Sequence, residues 1–159
     1  MSLGGFGAMR ERAVLITNNP NLRRWVFPES SIDGKRGHNV SVPAGSVMMV
    51  DGSSLDVLVS VRDAVHLGSR LLTHPLCGNL RPYQQPFRSV LIKKEENMNC
   101  LVDLESLSMI EEAVLVYRGC DAVLPLPHNL PDALREDYAF VDAELMRESL
   151  ERYGLLQKC

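Results

Sequence analysis

Short runs of apolar residues alternate along this chain with segments whose apolar residues recur at helical spacing. Apolar runs at residues 13–17, 46–50 and 89–92 are bounded by turn residues, and a shorter run covers 70–73. Continuous apolar runs of this length are typical of strands that are covered on both faces. The alternation predicts a three-layer α/β domain, in which a mostly parallel sheet of about four to five strands carries helices on both faces.

Capping residues mark where the predicted helices begin. Asn19 followed by Pro20 indicates the start of a short helix, and the pair Ser53-Ser54 follows the second strand as the start of another. Asp103 is placed to cap a third helix.

The last part of the chain is predicted to be broken into several elements. A short helix begins at about Pro131, residues 139–141 are extended, and a final helix is capped by Asp142 and stopped by Gly154.

The length of the chain, 159 residues, matches one ordinary domain. We expect residues 1–12 to form a flexible N-terminus and residues 13–159 to form a single α/β domain. Residues 28–45 carry several glycines and prolines among polar residues, which predicts a long loop or lid.

Composition excludes several classes of function. The net charge of -3 lacks the basic surplus of a nucleic-acid-binding domain. No apolar stretch approaches the roughly 20 residues that cross a bilayer, so we expect a cytoplasmic protein without membrane contact. The four cysteines are far apart and form no C-x-x-C pair, and the phosphate-loop and dinucleotide glycine motifs are both missing. Neither a metal nor a cofactor is therefore expected.

Polar residues follow the first three predicted strands. In a parallel sheet these segments meet at the carboxyl edge, where open α/β sheets bind ligands, and two of them also begin helices, whose N-termini favour anions. Taken one at a time, the capping residues have an ordinary structural explanation. The predicted ligand-binding residues are Thr17, Asn18, Asn19, Gly52, Ser53, Ser54, Thr73, His74, Gly78 and Asn79.

His74 is the candidate catalytic residue, because an imidazole at a strand exit can act as an acid or a base near neutral pH. The plainer interpretation is a loop histidine that bonds to a carbonyl. Cys77 is a weak candidate nucleophile, and a metal site at His74 and Cys77 lacks a second pair of ligands. Asp63 and His66 are predicted to form a surface pair at the far end of the second helix, where Arg62 borders the apolar stripe of that helix.

Several segments resemble the GrdX family, whose members are encoded beside the glycine, sarcosine and betaine reductases of amino-acid-fermenting anaerobic bacteria. The most specific segment is Thr-His-Pro-Leu-Cys-Gly-Asn at 73–79, and the likeness extends over most of the chain from Val14 onward. Other matching segments lie at 17–20, 61–68, 86–91, 102–107 and 140–142. The chain departs from the family pattern at Cys77, where a small residue such as serine is expected, and at 83–85, where a more acidic turn is expected.

The resemblance implies a small accessory protein of undetermined biochemical role, not a catalytic subunit of the reductase. The leading hypothesis is an accessory protein that binds a small anionic metabolite, or a partner such as a reductase subunit, at the carboxyl edge. The alternative is a small hydrolase or transferase that acts on an anionic substrate with His74 as general base. A third hypothesis is a structural homodimer, with which the apolar residues of the last helix are compatible.

Overall fold

The computed structural model describes residues 12–27, 46–78, 80–95 and 101–157. The predicted loop at 28–45 and all but the last residue of the predicted flexible N-terminus lie outside these ranges. The strands are β1 (Ala13–Thr17), β2 (Val47–Met49), β3 (Arg70–Leu71) and β4 (Ser89–Lys93). The helices are α1 (Pro20–Val26), α2 (Ser54–His66), α3 (Leu104–Arg118) and α4 (Asp132–Arg152), with short 3-10 turns at Pro82–Gln84 and Pro127–Asn129.

The four strands form one mixed sheet in the order β2-β1-β4-β3. β1 is parallel to β2, whereas β4 is antiparallel to both β1 and β3, so the prediction of a mostly parallel sheet was wrong. The reason lies between β3 and β4, where the described residues 72–78 and 80–88 form loops and a 3-10 turn and contain no crossover helix. A connection without a crossover helix brings the next strand back in the opposite direction.

β2 was predicted to be buried, but it lies at the edge of the sheet and pairs with β1 alone among the described strands. Met48 and Met49 are 47% and 38% exposed. The apolar run at 46–50 correctly predicted a strand, but such a run does not distinguish an edge strand from a central one.

Helices cover both faces of the sheet, as predicted. Alternate residues of β1 and β4 point to opposite faces because side chains alternate along a strand. Ile16 and Val90 pack with α2 and α3 in one core, while Leu15 and Leu91 pack with α1 and α4 in the other. The two buried faces account for the uninterrupted apolar runs of these central strands.

The predicted helix starts agree with the structure. Asn19 caps α1, with Pro20 in its first turn, and Asp103 caps α3 through a hydrogen bond from the Ser106 backbone. Ser53 caps α2 in a reciprocal capping box with Asp56. These contacts satisfy backbone N–H groups that have no acceptor within their own helix.

The C-terminal prediction was wrong in one respect. The segment predicted as extended, 139–141, and the predicted cap Asp142 lie inside α4, which is a continuous helix of 21 residues. No proline or glycine interrupts this stretch, and packing of the helix against the sheet overrides the local preference of Phe140 and Val141 for strands. As a consequence, the Asp142 side chain is buried against the sheet.

Candidate functional site

The exits of β1, β2 and β3 share one edge of the sheet with the start of β4, because the first three strands point in the same direction and β4 points in the other. We call this the strand-exit edge. Asn18 ties its loops together. The Asn18 Nδ2 donates to the carbonyls of Gly52 (3.1 Å) and Pro86 (2.9 Å), and its Oδ1 accepts from the Arg88 N–H (2.9 Å). The edge is therefore a frame that is fixed by hydrogen bonds.

On the α4 face of this edge, four buried polar side chains form the Asp142 cluster: Thr17, Asn19, Ser89 and Asp142. The Ser89 hydroxyl donates to Asp142 Oδ2 (2.6 Å) and therefore accepts from the Thr17 hydroxyl (2.7 Å). Thr17 in turn accepts from the Asn19 backbone N–H (2.9 Å). The Asn19 Nδ2 closes the ring by donating to Asp142 Oδ2 (2.9 Å) and to the Ala139 carbonyl (2.8 Å).

Burial dominates the electrostatics of Asp142. It raises the pKa of this carboxyl above its ordinary value of 3.8, while the hydrogen bonds from Ser89 and Asn19 and the charge of Arg88 lower it. A raised pKa in the folded state means that the folded protein holds this proton more tightly than the unfolded chain does. The contribution of Asp142 to stability is then largest in acid and declines as the pH rises above about 4.

On the opposite face, against α2 and α3, lies the Arg88 cluster: Ser54, Gln85, Arg88 and Tyr117. Arg88 is 3% exposed, and its guanidinium donates to Gln85 Oε1, to the Tyr117 hydroxyl (2.7 Å) and to the Cys77 carbonyl (2.9 Å). The guanidinium carbon also lies 5.7 Å from the centre of the Tyr117 ring. Every one of these partners is uncharged.

Two buried side-chain atoms in the described part of the chain have no hydrogen-bond partner, and both belong to the Arg88 cluster. They are Nε of Arg88 and Oγ of Ser54. Within the same residues, no carboxylate forms an ion pair with Arg88, although its charge reaches Asp142 through space. A buried cation without a paired carboxylate carries an uncompensated desolvation cost, which a bound anion would offset.

The Tyr117 phenol connects Arg88 to the start of α2. Burial raises the pKa of Tyr117 above its ordinary value of 10.0, whereas Arg88 and the nearby Ser54 hydroxyl lower it. Ser54 is thus close enough to act on the phenol without forming a well-shaped hydrogen bond to it. With its pKa raised, Tyr117 keeps its proton at neutral pH and is a hydrogen-bond donor.

Two glycines adopt backbone conformations at this edge that other residues avoid. Gly52 has φ +144° and Gly78 has φ +93°. A Cβ atom at Gly52 would lie 2.5 Å from Asp56 Oδ2, and one at Gly78 would lie 3.1 Å from Leu145. Glycine is therefore required for the tight approach of the 51–54 turn to the helix that it begins.

The structure separates the predicted site residues into groups. Thr17 and Asn19 belong to the Asp142 cluster, and Ser54 to the Arg88 cluster. Thr73 serves the sheet, because its hydroxyl accepts from the Leu91 N–H (3.0 Å). The remaining residues at the edge hold its turns together: Asn18, Gly52, Ser53 and Gly78. Asn79 lies outside the described residues.

His74 lies apart from both clusters. It is exposed, and its Nδ1 accepts from the Leu76 backbone N–H (3.1 Å) instead of bonding to a carbonyl. Cys77 follows in the same turn, with its backbone N–H donating to the His74 carbonyl (3.1 Å). No side chain of the described residues hydrogen-bonds to the imidazole, so nothing in this part of the chain orients it as a base.

Sequence reasoning missed the central residues of both clusters. Arg88 directly precedes β4 and Ser89 is its first residue, whereas the predicted site residues all lie at or after the ends of the other three strands. No functional role was predicted for Tyr117, and Asp142 was predicted only as a helix cap. The one available signal was the Arg-Ser pair at the start of a buried strand, since a charged residue there needs a partner or a function.

The surface cluster on α2 also differs from expectation. Asp63 pairs with Arg62 (3.0 Å), while His66 contacts Glu111 on α3 (3.3 Å), so the predicted pair of Asp63 and His66 was wrong.

The described residues contain no group of three or more side chains that could hold a metal ion. Over the same ranges, no helix is both long and apolar enough to cross a membrane.

In the described residues, fold and site together define a small α/β protein with a mixed four-stranded sheet and two polar clusters at one edge of that sheet. A family model described as GrdX-like protein matches residues 14–151, which is most of the chain. The protein therefore belongs to the GrdX-like family, which confirms the resemblance seen in the sequence. Searches of curated proteins and of solved structures found no match.

Proposed function

We propose that this GrdX-like protein is a non-catalytic accessory protein of glycine, sarcosine and betaine reductase systems, and that it binds a small anionic metabolite at the strand-exit edge. The observation that carries the proposal is Arg88, a buried cation that has neutral partners and no paired carboxylate among the described residues. The association with the reductases follows from the family resemblance.

Charge and geometry favour an anion over a neutral ligand. The free Nε of Arg88 is a charged donor, and hydrogen bonds to charged groups are stronger than those between neutral groups. Ser54, the first residue of α2, adds the partial positive charge of a helix N-terminus. An anion bound here would compensate the charge of Arg88 and stabilise the folded state.

A thermal-shift screen at constant ionic strength tests the proposal. The ligands are glycine, sarcosine, betaine, acetate, acetyl phosphate and inorganic phosphate, with sodium chloride as the salt control. Saturation at about 100 times the Kd adds roughly 2.7 kcal/mol, which for a domain of this size raises Tm by about 5–10 °C. The proposal fails if none of these ligands, whether zwitterions or net anions, stabilises the protein beyond the salt control.

Two variants locate the binding. Arg88→Lys keeps a cation but removes the Nε donor and the planar fork, so the anion-dependent rise in Tm should fall by at least half. Arg62→Lys changes a half-buried arginine that pairs with Asp63 and lies outside both clusters, so it should respond like the wild type. An equal response of all three proteins would place the anion elsewhere.

The partner form of the proposal needs a separate measurement. Purified reductase subunits mixed with the protein should shift its elution in size-exclusion chromatography, and the shift should be weaker for Arg88→Lys if an anionic group of the partner occupies the edge.

Catalysis by His74 as a general base, in a hydrolase or transferase, has no specific observation in its favour, since the described residues provide no partner that orients the imidazole.

A further inference from the structure

The three nitrogens of the Arg88 guanidinium differ in how many of their hydrogens are already hydrogen-bonded to protein atoms. This difference limits the shape of any anion that Arg88 can bind. One terminal nitrogen donates to both Gln85 and Tyr117, and the other donates to the Cys77 carbonyl. Planar carboxylates normally engage arginine through two parallel hydrogen bonds from neighbouring nitrogens. A guanidinium offers two such pairs, Nε with one terminal nitrogen and the two terminal nitrogens with each other. Both pairs include the terminal nitrogen that already donates to Gln85 and Tyr117, so Arg88 has no free pair of donors for a carboxylate.

The donors that lack an acceptor come from three different elements. Arg88 Nε lies just before β4, Ser54 Oγ lies at the first residue of α2, and the Tyr117 hydroxyl lies on α3. Tyr117 accepts from Arg88 and donates to none of the described residues. Arg88 donates to the Tyr117 hydroxyl (2.7 Å), and Ser54 is close enough to lower the pKa of the phenol, so the three groups lie near one another. Single donors contributed by separate elements suit an anion with several oxygens out of one plane.

We infer that the anion bound at the strand-exit edge is a tetrahedral oxyanion of the phosphate class, held by single hydrogen bonds from Arg88 Nε, Ser54 Oγ and the Tyr117 hydroxyl. This inference rests on the proposed anion site and narrows its ligand from anions in general to phosphate or a phosphate ester. Ser54 and Tyr117 are binding residues in this account, and the helix N-terminus of α2 adds to the attraction for a doubly charged group.

The sharpest test uses Ser54→Ala with inorganic phosphate as the probe. Because Ser54 Oγ forms no well-shaped hydrogen bond in the described structure, its removal costs the free protein little, and the Tm of the variant without phosphate should stay within about 2 °C of wild type. Isothermal titration should show about tenfold weaker phosphate binding, the usual effect of losing one hydrogen bond to a charged group. Ser60→Ala, on the same helix but bonded to the Asp56 carbonyl, is the matched control and should bind like wild type.

Acetate and glycine titrated in parallel distinguish this inference from the broader proposal. If they bind at least as tightly as phosphate and depend on Arg88, the site takes carboxylates, so the phosphate inference is overturned while the proposed function stands. If no anion binds, both fall. Phosphate affinity that is unchanged in Ser54→Ala also overturns the inference. Tyr117→Phe, which removes only the hydroxyl, gives a second readout and should weaken phosphate binding by a similar factor.

Discussion

The Asp142 cluster and the Arg88 cluster lie on opposite faces of the same sheet edge, and they use their hydrogen-bonding atoms differently. In the Asp142 cluster, Asn19 uses both Nδ2 hydrogens and its Oδ1, and the two hydroxyls are linked in one chain to the carboxylate. In the Arg88 cluster, Nε of Arg88 and Oγ of Ser54 have no partner in the described residues. A complete network fixes the structure, whereas buried donors without a protein partner are available to water or to a ligand.

The comparison predicts the largest loss of stability in the complete network. Asn19→Ala removes the cap of α1 and the donors to Asp142 and Ala139, so the free energy of unfolding should fall by about 3 kcal/mol. Urea denaturation measures this change, and exposed Asn129→Ala, which should change it by less than about 0.5 kcal/mol, is the control. A loss below about 1 kcal/mol for Asn19→Ala would break the structural assignment of this cluster.

Gly52 tests the frame that connects the two clusters. Gly52→Ala combines an unfavourable positive φ with a clash against Asp56, and should cost about 2 kcal/mol. Gly154→Ala shares the positive φ (+75°) but has open space around the new methyl group, so it isolates the backbone penalty. We expect Gly52→Ala alone to weaken anion binding as well, because it moves the start of α2. Equal effects of the two variants on stability and on binding would contradict this view.

The buried carboxyl of Asp142 predicts a pH dependence of stability. Its folded pKa is raised, so stability declines as the pH rises from about 4 through that raised value. Asp142→Asn keeps an acceptor for Asn19 and Ser89 but removes the titration, so it should flatten this decline. At neutral pH we expect a gain on the order of 1 kcal/mol.

Thermal unfolding from pH 4 to 8 provides the measurement for Asp142, and Asp137→Asn on the exposed side of α4 is the matched control. A wild type and an Asp142→Asn variant with parallel pH profiles would show that this carboxyl does not titrate differently in the folded state.

His74 should give the smallest effect. His74→Ala removes an exposed side chain whose only described bond is from the Leu76 backbone, so stability should change by less than about 0.5 kcal/mol and anion binding should be unchanged. Thermal shift with and without phosphate measures both. A loss of anion binding in this variant would extend the site to the 73–78 turn and revive the interpretation of His74 as a functional residue.

Local chemistry made part of this molecule predictable from its sequence. The caps Asn19, Ser53 and Asp103 depend on contacts within a few residues, and the shared edge of the first three strands follows from their common direction. The insertion of β4 in the opposite direction could not be predicted, because it depends on pairing between residues such as Thr17 and Ser89, 72 positions apart.

The sequence predicted the sheet edge of the candidate site, but it did not predict the central residues of the two clusters. Polar residues at the strand exits predicted the edge at which both clusters lie, but Arg88 meets Tyr117 from 29 positions away and Ser89 meets Asp142 from 53. Such contacts arise from the packing of α3 and α4 on the sheet, and no local pattern encodes them. The segment at 73–79 illustrates the difference. It is the part of the chain that most specifically resembles the family, yet its histidine lies outside both clusters.

A crystal structure of the protein grown with inorganic phosphate is the most direct test of anion binding at the strand-exit edge. The account predicts an ordered anion within hydrogen-bond distance of Arg88 Nε and Ser54 Oγ, with the guanidinium still bound to Gln85 and Tyr117. A structure at saturating phosphate in which Arg88 Nε is bonded to a protein group, and the anion is bound elsewhere on the surface, would contradict the account.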